Sequence, residues 1–180
     1  MNSGSVKSTA VSTQSYGKFQ TTVLVAFRII IGWHFFYEGL AKLTNPYWSS
    51  ASYLADSQWW LRGLFIEIAA SPAAVSVVDF LNVWGLILIG LGLMLGVLTR
   101  TAAVAGVVLL ALYYIAAPPF AAYSYAMPAE GSYLVVNKVL IELVALLVLL
   151  AFPTGKSWGL DRLIPWQTMF KRGAASQARV

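Results

Sequence analysis

Residues 19–43 read FQTTVLVAFRIIIGWHFFYEGLAKL, and this stretch decides the class of fold. A helix that crosses a bilayer needs about 20 mostly apolar residues at ~1.5 Å of rise each, which this stretch supplies. Three further apolar stretches follow, at residues 74–98, 101–117 and 134–152. Pro118-Pro119 follows the third stretch and Pro153 follows the fourth, and proline commonly marks the end of a helix. The sequence therefore predicts an all-α integral membrane protein, a four-helix bundle.

The composition supports a membrane protein and excludes several other classes. Of the 180 residues, 59% are hydrophobic and 11% are charged, whereas soluble domains carry about 25% charged residues. The net charge of +5 does not indicate a nucleic-acid binder, because the 12 basic residues are spread between apolar runs and such binders cluster them on one face. With no cysteine and one histidine, the chain offers no thiolate ligands and no pair of haem ligands. We predict no metal and no haem.

The charges of the short loops predict the orientation. Residues 1–18 form a polar segment expected to be disordered, residues 19–165 the membrane domain, and residues 166–180 a basic tail. Basic residues gather on one side of the predicted membrane: Lys7, Lys18, Arg100, Lys156, Arg162, Lys171, Arg172 and Arg179. Because cytoplasmic loops carry the excess of Lys and Arg, both termini are predicted to be cytoplasmic, in a bacterial inner membrane.

The two predicted outer loops, residues 44–73 and 118–133, are rich in Trp and Tyr. Such residues are typical of an aromatic belt at the membrane interface. Residues 57–70 could form a short helix lying in that interface, and a sharper interpretation makes them a lid over a site. Both interpretations stay open at this point.

Ionisable residues of three predicted spans fall at a common level below the outer surface. His34, Glu38 and Lys42 are spaced i, i+4 and i+8, so they share one helix face, with Glu38 ~6 Å and His34 ~12 Å deeper than Lys42. The second and fourth spans begin at the same surface, and both carry polar residues early: Asp79, Asn82, Asn137, Lys138 and Glu142. The sequence therefore predicts a shared polar cluster.

Two interpretations of this cluster remain open. An unpaired charge at the bilayer centre costs roughly 3 kcal/mol, so the residues could be ion pairs that only fix helix register. They could instead line a pocket for a substrate, a quinone head group or a proton path. A histidine beside a carboxylate suits proton transfer near neutral pH, which makes His34, Glu38 and Glu142 the catalytic candidates. The candidates for substrate binding are Lys42, Lys138, Arg62, Asp79, Asn82 and Asn137.

Arg28 is a separate case. It lies ~21 Å from Lys42 along the predicted helix, so it belongs to the inner half of the membrane. Its side chain could extend to the inner surface, or it could pair with a backbone carbonyl or with Glu142.

Three segments resemble one known family. Residues 28–43 (RIIIGWHFFYEGLAKL) are similar to the opening helix of the DoxX family of small four-helix membrane proteins. Residues 86–100 (LILIGLGLMLGVLTR) resemble that family's second helix and basic turn, and residues 155–161 (GKSWGLD) its closing signature. The long aromatic loop resembles the DoxD branch.

The DoxD resemblance implies a subunit of a thiosulfate:quinone oxidoreductase acting at the periplasmic side. A quinone would be the electron acceptor, and a second small membrane or periplasmic subunit the partner, beside the lipid bilayer. The alternative is a non-catalytic scaffold or assembly partner of an envelope complex. Whether the chain forms a homo-oligomer stays open.

Overall fold

The computed structural model describes residues 17–120, 123–125, 134–152, 154–155 and 158–162, and these contain helices but no β-strand. The helices are α1 (Lys18–Thr44), α2 (Ala51–Ala55), α3 (Arg62–Ala70), α4 (Pro72–Leu95), α5 (Thr99–Ala116), α6 (Lys138–Ala151) and a 3-10 turn (Leu160–Arg162). The predicted segment 1–18 lies almost wholly outside the described residues, and the predicted tail 166–180 lies wholly outside them.

Among the described residues, three helices are long and apolar enough to cross a membrane: α1, α4 and α5. They correspond to the first three predicted spans, and the part of the chain that the structure describes is all-helical. The fourth predicted span began too early, because Asn137 adopts an extended backbone and its side chain accepts a hydrogen bond from the Leu140 amide, so α6 starts only at Lys138. With 14 residues, α6 is about 21 Å long, shorter than the ~30 Å hydrocarbon core. The four-helix bundle and the cytoplasmic termini therefore stay predictions.

Helix α1 packs closely along α4, and α5 packs against both α4 and α6. Glycines permit the close approach of α1 and α4: a Cβ added at Gly90 would lie 2.4 Å from the backbone nitrogen of Phe36. Gly92 likewise lies close to Ala102 of α5, because a Cβ added there would lie 3.0 Å from the Ala102 Cβ. The core at this junction includes the fully buried Phe35 and Leu93.

The α4–α5 turn and the segment after α6 form what we call the closing end. Helix α4 ends at Leu95 and is capped by Gly96, whose φ of 67° lies in the left-handed region that favours glycine. Asp161 then covers the start of α5: its carboxylate accepts hydrogen bonds from the amides of Leu98 (2.7 Å) and Thr99 (3.1 Å) and from the Thr99 hydroxyl (2.8 Å). The Asp161 amide donates to the Gly96 carbonyl at 2.9 Å. The closing signature thus joins the end of the membrane domain to the α4–α5 turn.

Arg28 also belongs to the closing end, and it is only 2% exposed. One of its terminal nitrogens donates to the Trp158 carbonyl at 2.6 Å, and the other donates to the Thr154 hydroxyl at 3.2 Å. The sequence left a backbone carbonyl and Glu142 open as partners of Arg28, and the structure shows the carbonyl. Glu142 instead contacts His34.

The loop between α1 and α4 contains two short helices, α2 and α3, which pack on each other, and α3 also packs against α4. Leu54 of α2, Phe65 of α3 and Ala116 of α5 form a small apolar cluster there. A short helix was predicted within residues 57–70, and α3 lies in that range. This loop lies at the end of the helices opposite to the closing end. We call the loop's end of the helices the cavity end.

Candidate functional site

A cavity of about 630 Å³ opens at the cavity end, within the range of ~300–1,000 Å³ that is usual for small-molecule sites. Helices α1, α4, α5 and α6 contribute its walls, and the loop residues 45–56 cover it. Phe35, Leu86 and Leu110 supply apolar surface, whereas polar groups come from all four helices and from the loop. The cavity therefore combines apolar walls with polar groups.

Two side-chain pairs join α1 to α6 at the cavity wall. The Nε2 atom of His34 lies 2.9 Å from Oε1 of Glu142, and the Nζ atom of Lys138 lies 3.6 Å from Oε1 of Glu38. Each residue lies one helical turn from its neighbour on the same helix, which follows from the i, i+4 spacing on both helices. Each pair can hold and transfer a proton close to a bound molecule.

Lys42 has a different environment from Lys138. Its Nζ atom donates to Oδ1 of Asn82 at 3.2 Å and to the hydroxyl of Tyr113 at 3.4 Å. It also lies 5.1 Å from the centre of the Trp48 ring and 5.3 Å from that of Tyr113, within cation–π range. Within the part of the chain that the structure describes, no carboxylate oxygen lies within 4.0 Å of this ammonium group. Its direct contacts are therefore with neutral groups.

Two half-buried tyrosines fix segments that line the cavity. The Tyr53 hydroxyl donates to the Tyr113 carbonyl at 2.9 Å, and the Tyr125 hydroxyl donates to the Pro118 carbonyl at 2.8 Å. Burial, and then the neighbouring Tyr125, raise the pKa of Tyr53 to about 12. Burial is also the first cause that raises the pKa of Tyr125 to about 12. Both phenols thus stay protonated and remain donors at neutral pH.

Ser50 is a second anchor of the loop. Its backbone amide donates to Oδ1 of Asp79 at 2.8 Å, which fixes the start of α2 against α4. The Ser50 side chain lines the cavity and is buried, yet its Oγ has no hydrogen-bond partner among the described residues.

Most residues proposed from the sequence meet at this cavity. The lining includes His34, Glu38, Lys42, Asn82, Asn137, Lys138 and Glu142. Arg62 and Asp79 do not line it: Arg62 is exposed at the start of α3, and Asp79 holds the Ser50 amide. The catalytic and binding roles assigned to all these residues stay predictions.

Sequence reasoning missed several residues that line the cavity, notably Trp48, Ser50, Tyr53 and Tyr113. The aromatic loops were interpreted as an interface belt, and the lid was sought in residues 57–70, whereas the covering residues come from 45–56. The dense run of Asn, Tyr, Trp and Ser directly after Lys42 was the available signal.

Comparisons with known proteins give one result for this chain. The sequence model of the DoxX family matches residues 23–119, more than half of the chain. No curated protein and no solved structure matches significantly.

Among the described residues, no group of three His, Asp or Glu side chains could hold a metal ion.

Proposed function

Because the chain belongs to the DoxX family, we propose that it is a membrane subunit of a quinone-linked oxidoreductase that oxidises a small sulfur compound such as thiosulfate. The proposal places it in the DoxD-like branch and in the bacterial inner membrane, with the cavity at the periplasmic side and a second small subunit as partner. The observation that carries it is the cavity itself, where apolar walls meet paired acids and bases at the boundary of the apolar helices.

The cavity suits a quinone head group for two reasons. Its apolar interior, with Phe35 and Leu86, can accept a flat ring. A quinone takes up two electrons and two protons, and this chain's own contribution is to supply those protons. His34 and Glu142 are in hydrogen-bond contact at 2.9 Å and can deliver one proton to a ring oxygen, while Glu38 and Lys138 lie a turn nearer the surface and can replace it.

Lys42 is the group that best suits an anionic sulfur compound. Among the described residues, its ammonium contacts Asn82, Tyr113 and the Trp48 ring and no carboxylate within 4.0 Å, so it can bind an anion without first breaking such an ion pair. The lining as a whole carries three carboxylates, Glu38, Asp56 and Glu142, against two lysines and His34. Because these charges nearly balance, anion capture depends on contact with Lys42 and not on a positive field around the cavity.

The redox balance of this proposal needs no metal from this chain. Joining two thiosulfate ions through a new sulfur–sulfur bond releases two electrons, which one quinone takes up with two protons to give the quinol. The residues of the cavity bind the reactants side by side and supply the protons, which is catalysis by positioning and by acid–base groups.

The direct test measures thiosulfate-dependent quinone reduction. Quinone absorbance is followed with the protein in nanodiscs and in membranes of a strain that expresses it, so that a partner subunit is retained in one arm. Lys42→Met is expected to raise the KM for thiosulfate at least tenfold, and His34→Gln to lower kcat at least tenfold. Arg62→Gln is the matched control, because it removes a cation that does not line the cavity. Absence of quinone reduction in both arms contradicts the proposal.

A non-catalytic scaffold is the second candidate, and one observation favours it. The acids and bases at the α1–α6 contact satisfy one another, as expected of pairs that only fix helix register. The double variant Glu38→Gln/Lys42→Met separates the two functions. A folded, inserted protein that loses only quinone reduction supports the enzyme, whereas failure to insert or to assemble with a partner supports the scaffold.

A further inference from the structure

The contact between α1 and α6 is much less extensive than the contacts that these two helices make with α4 and α5. Helix α1 packs mainly on α4, and α6 mainly on α5, while α1 and α6 touch along only a short stretch. We call this contact the α1–α6 seam. Both of its edges line the cavity, through His34 and Glu38 on one helix and Lys138 and Glu142 on the other.

Two polar pairs close the seam beside the cavity, above the apolar core that Phe35 of α1 shares with Leu146 of α6. His34 meets Glu142 and Glu38 meets Lys138, which is the register of two antiparallel helices at successive turns. The outer pair is the looser one: its atoms lie 3.6 Å apart, and its two side chains are 40% and 41% exposed. Both side chains line the cavity, so the outer pair is the contact at which the seam is held most loosely.

On the side away from the cavity, exposed apolar side chains flank the seam. Ile30 lies one turn from His34 on α1 and is 65% exposed, and Ile141 and Val144 flank Glu142 on α6 and are 61% and 51% exposed. The seam thus separates a lipid-facing apolar surface from a cavity with polar groups. The loop side of the cavity differs, because Asn45 and Tyr47 line it and are exposed beyond the end of α1.

We propose that the α1–α6 seam is a lateral portal through which an amphipathic, membrane-dissolved molecule passes from the bilayer into the cavity, with the Glu38–Lys138 pair as its latch. The molecule's polar head lies among the seam residues, and its apolar tail stays between α1 and α6 in contact with lipid. A water-soluble reactant uses the loop side beside Tyr47. The assignment of the lipophile as a quinone rests on the proposed function.

The absence of cysteine from the chain allows a direct test of the portal. In the double variant Glu38→Cys/Lys138→Cys, a short bifunctional methanethiosulfonate bridges the seam, and a reducing agent removes the bridge. The control is the same variant treated with a monofunctional reagent, which changes the side chains equally without joining the helices. Stopped-flow quenching of tryptophan fluorescence, to which Trp48 in the cavity contributes, gives association rates for decylubiquinone and for the tail-less, water-soluble ubiquinone-0.

Bridging is expected to slow association of decylubiquinone at least tenfold relative to the monofunctional control, to leave ubiquinone-0 within twofold, and to be reversed by reduction. If both quinones bind and bridging does not slow decylubiquinone, the portal is refuted while the proposed function stands. Equal slowing of both quinones also refutes the portal, because it means that the bridge only fills the cavity. If neither quinone binds the wild-type protein, the proposed function and the portal fail together.

Discussion

Replacing Gly90 by alanine tests the close contact between α1 and α4. A Cβ at Gly90 would lie 2.4 Å from the Phe36 nitrogen and 2.7 Å from the Gly32 carbonyl oxygen, where ordinary contact begins at 3.4 Å. These are backbone atoms that cannot rotate away, so α1 must move by roughly 1 Å, and a gap of that size forfeits a quarter to a half of the dispersion energy of the atoms it separates. Overpacking of this kind costs about 1–3 kcal/mol.

Gly85→Ala is the matched control on the same helix, because a Cβ there meets nothing within 4 Å. Alanine should stabilise α4 by about 1 kcal/mol at either position through helix propensity. We therefore expect Gly85→Ala to be more stable than the wild type, and Gly90→Ala to be about 3 kcal/mol less stable than Gly85→Ala when overpacking and lost dispersion are combined. Reversible unfolding in SDS, followed by circular dichroism, measures the difference. Equal stability of the two variants would refute the proposed helix contact.

Three further predictions concern the closing end and the loop. Asp161→Asn should lower the free energy of unfolding by about 2 kcal/mol, because Thr99 loses a charged acceptor at the start of α5; SDS unfolding checks this, and an unchanged midpoint speaks against it. In Arg28→Lys, limited proteolysis should cleave the chain near Trp158 at least tenfold faster than in the wild type, because one ammonium group cannot make both hydrogen bonds of the guanidinium. An unchanged cleavage rate would show that the contact is dispensable. The pKa of Tyr53 is raised in the folded state to about 12 from an ordinary value of 10.0. The contribution of this phenol to the free energy of unfolding should therefore be fully present below pH 10 and be lost as the pH rises towards 12. The difference in phenolate absorbance between the wild type and Tyr53→Phe measures this titration, and titration of the Tyr53 phenol near pH 10 contradicts the prediction.

The sequence predicted what depends on hydropathy and on spacing along one helix. The bounds of α1 agree with the predicted span to within one residue, because a run of 25 apolar-rich residues has few alternatives in a bilayer. The i, i+4, i+8 spacing placed His34, Glu38 and Lys42 on one face, and all three line the cavity.

Partner choice between helices could not be predicted, because it depends on register and rotation that one sequence does not specify. Glu142 contacts His34, whereas Arg28 donates to the Trp158 carbonyl at the closing end. Lys42 contacts an amide and a phenol although acids lie near it, and Asp79 holds a loop amide. The length of α6 was overestimated for a local reason, since Asn137 caps the helix and α6 therefore begins at Lys138, after the start of the apolar stretch at residue 134.

Photolabelling by a quinone tests the central claim most directly, namely that the cavity at the end of α1 and α6 binds a quinone. The protein in nanodiscs is irradiated with an azidoquinone, and the modified residues are mapped by mass spectrometry. The account predicts adducts on cavity residues such as Trp48 and Tyr113, which excess decylubiquinone suppresses. Adducts on lipid-facing residues such as Leu88 and Val108, which are 63% and 56% exposed, without competition by excess quinone, would contradict it.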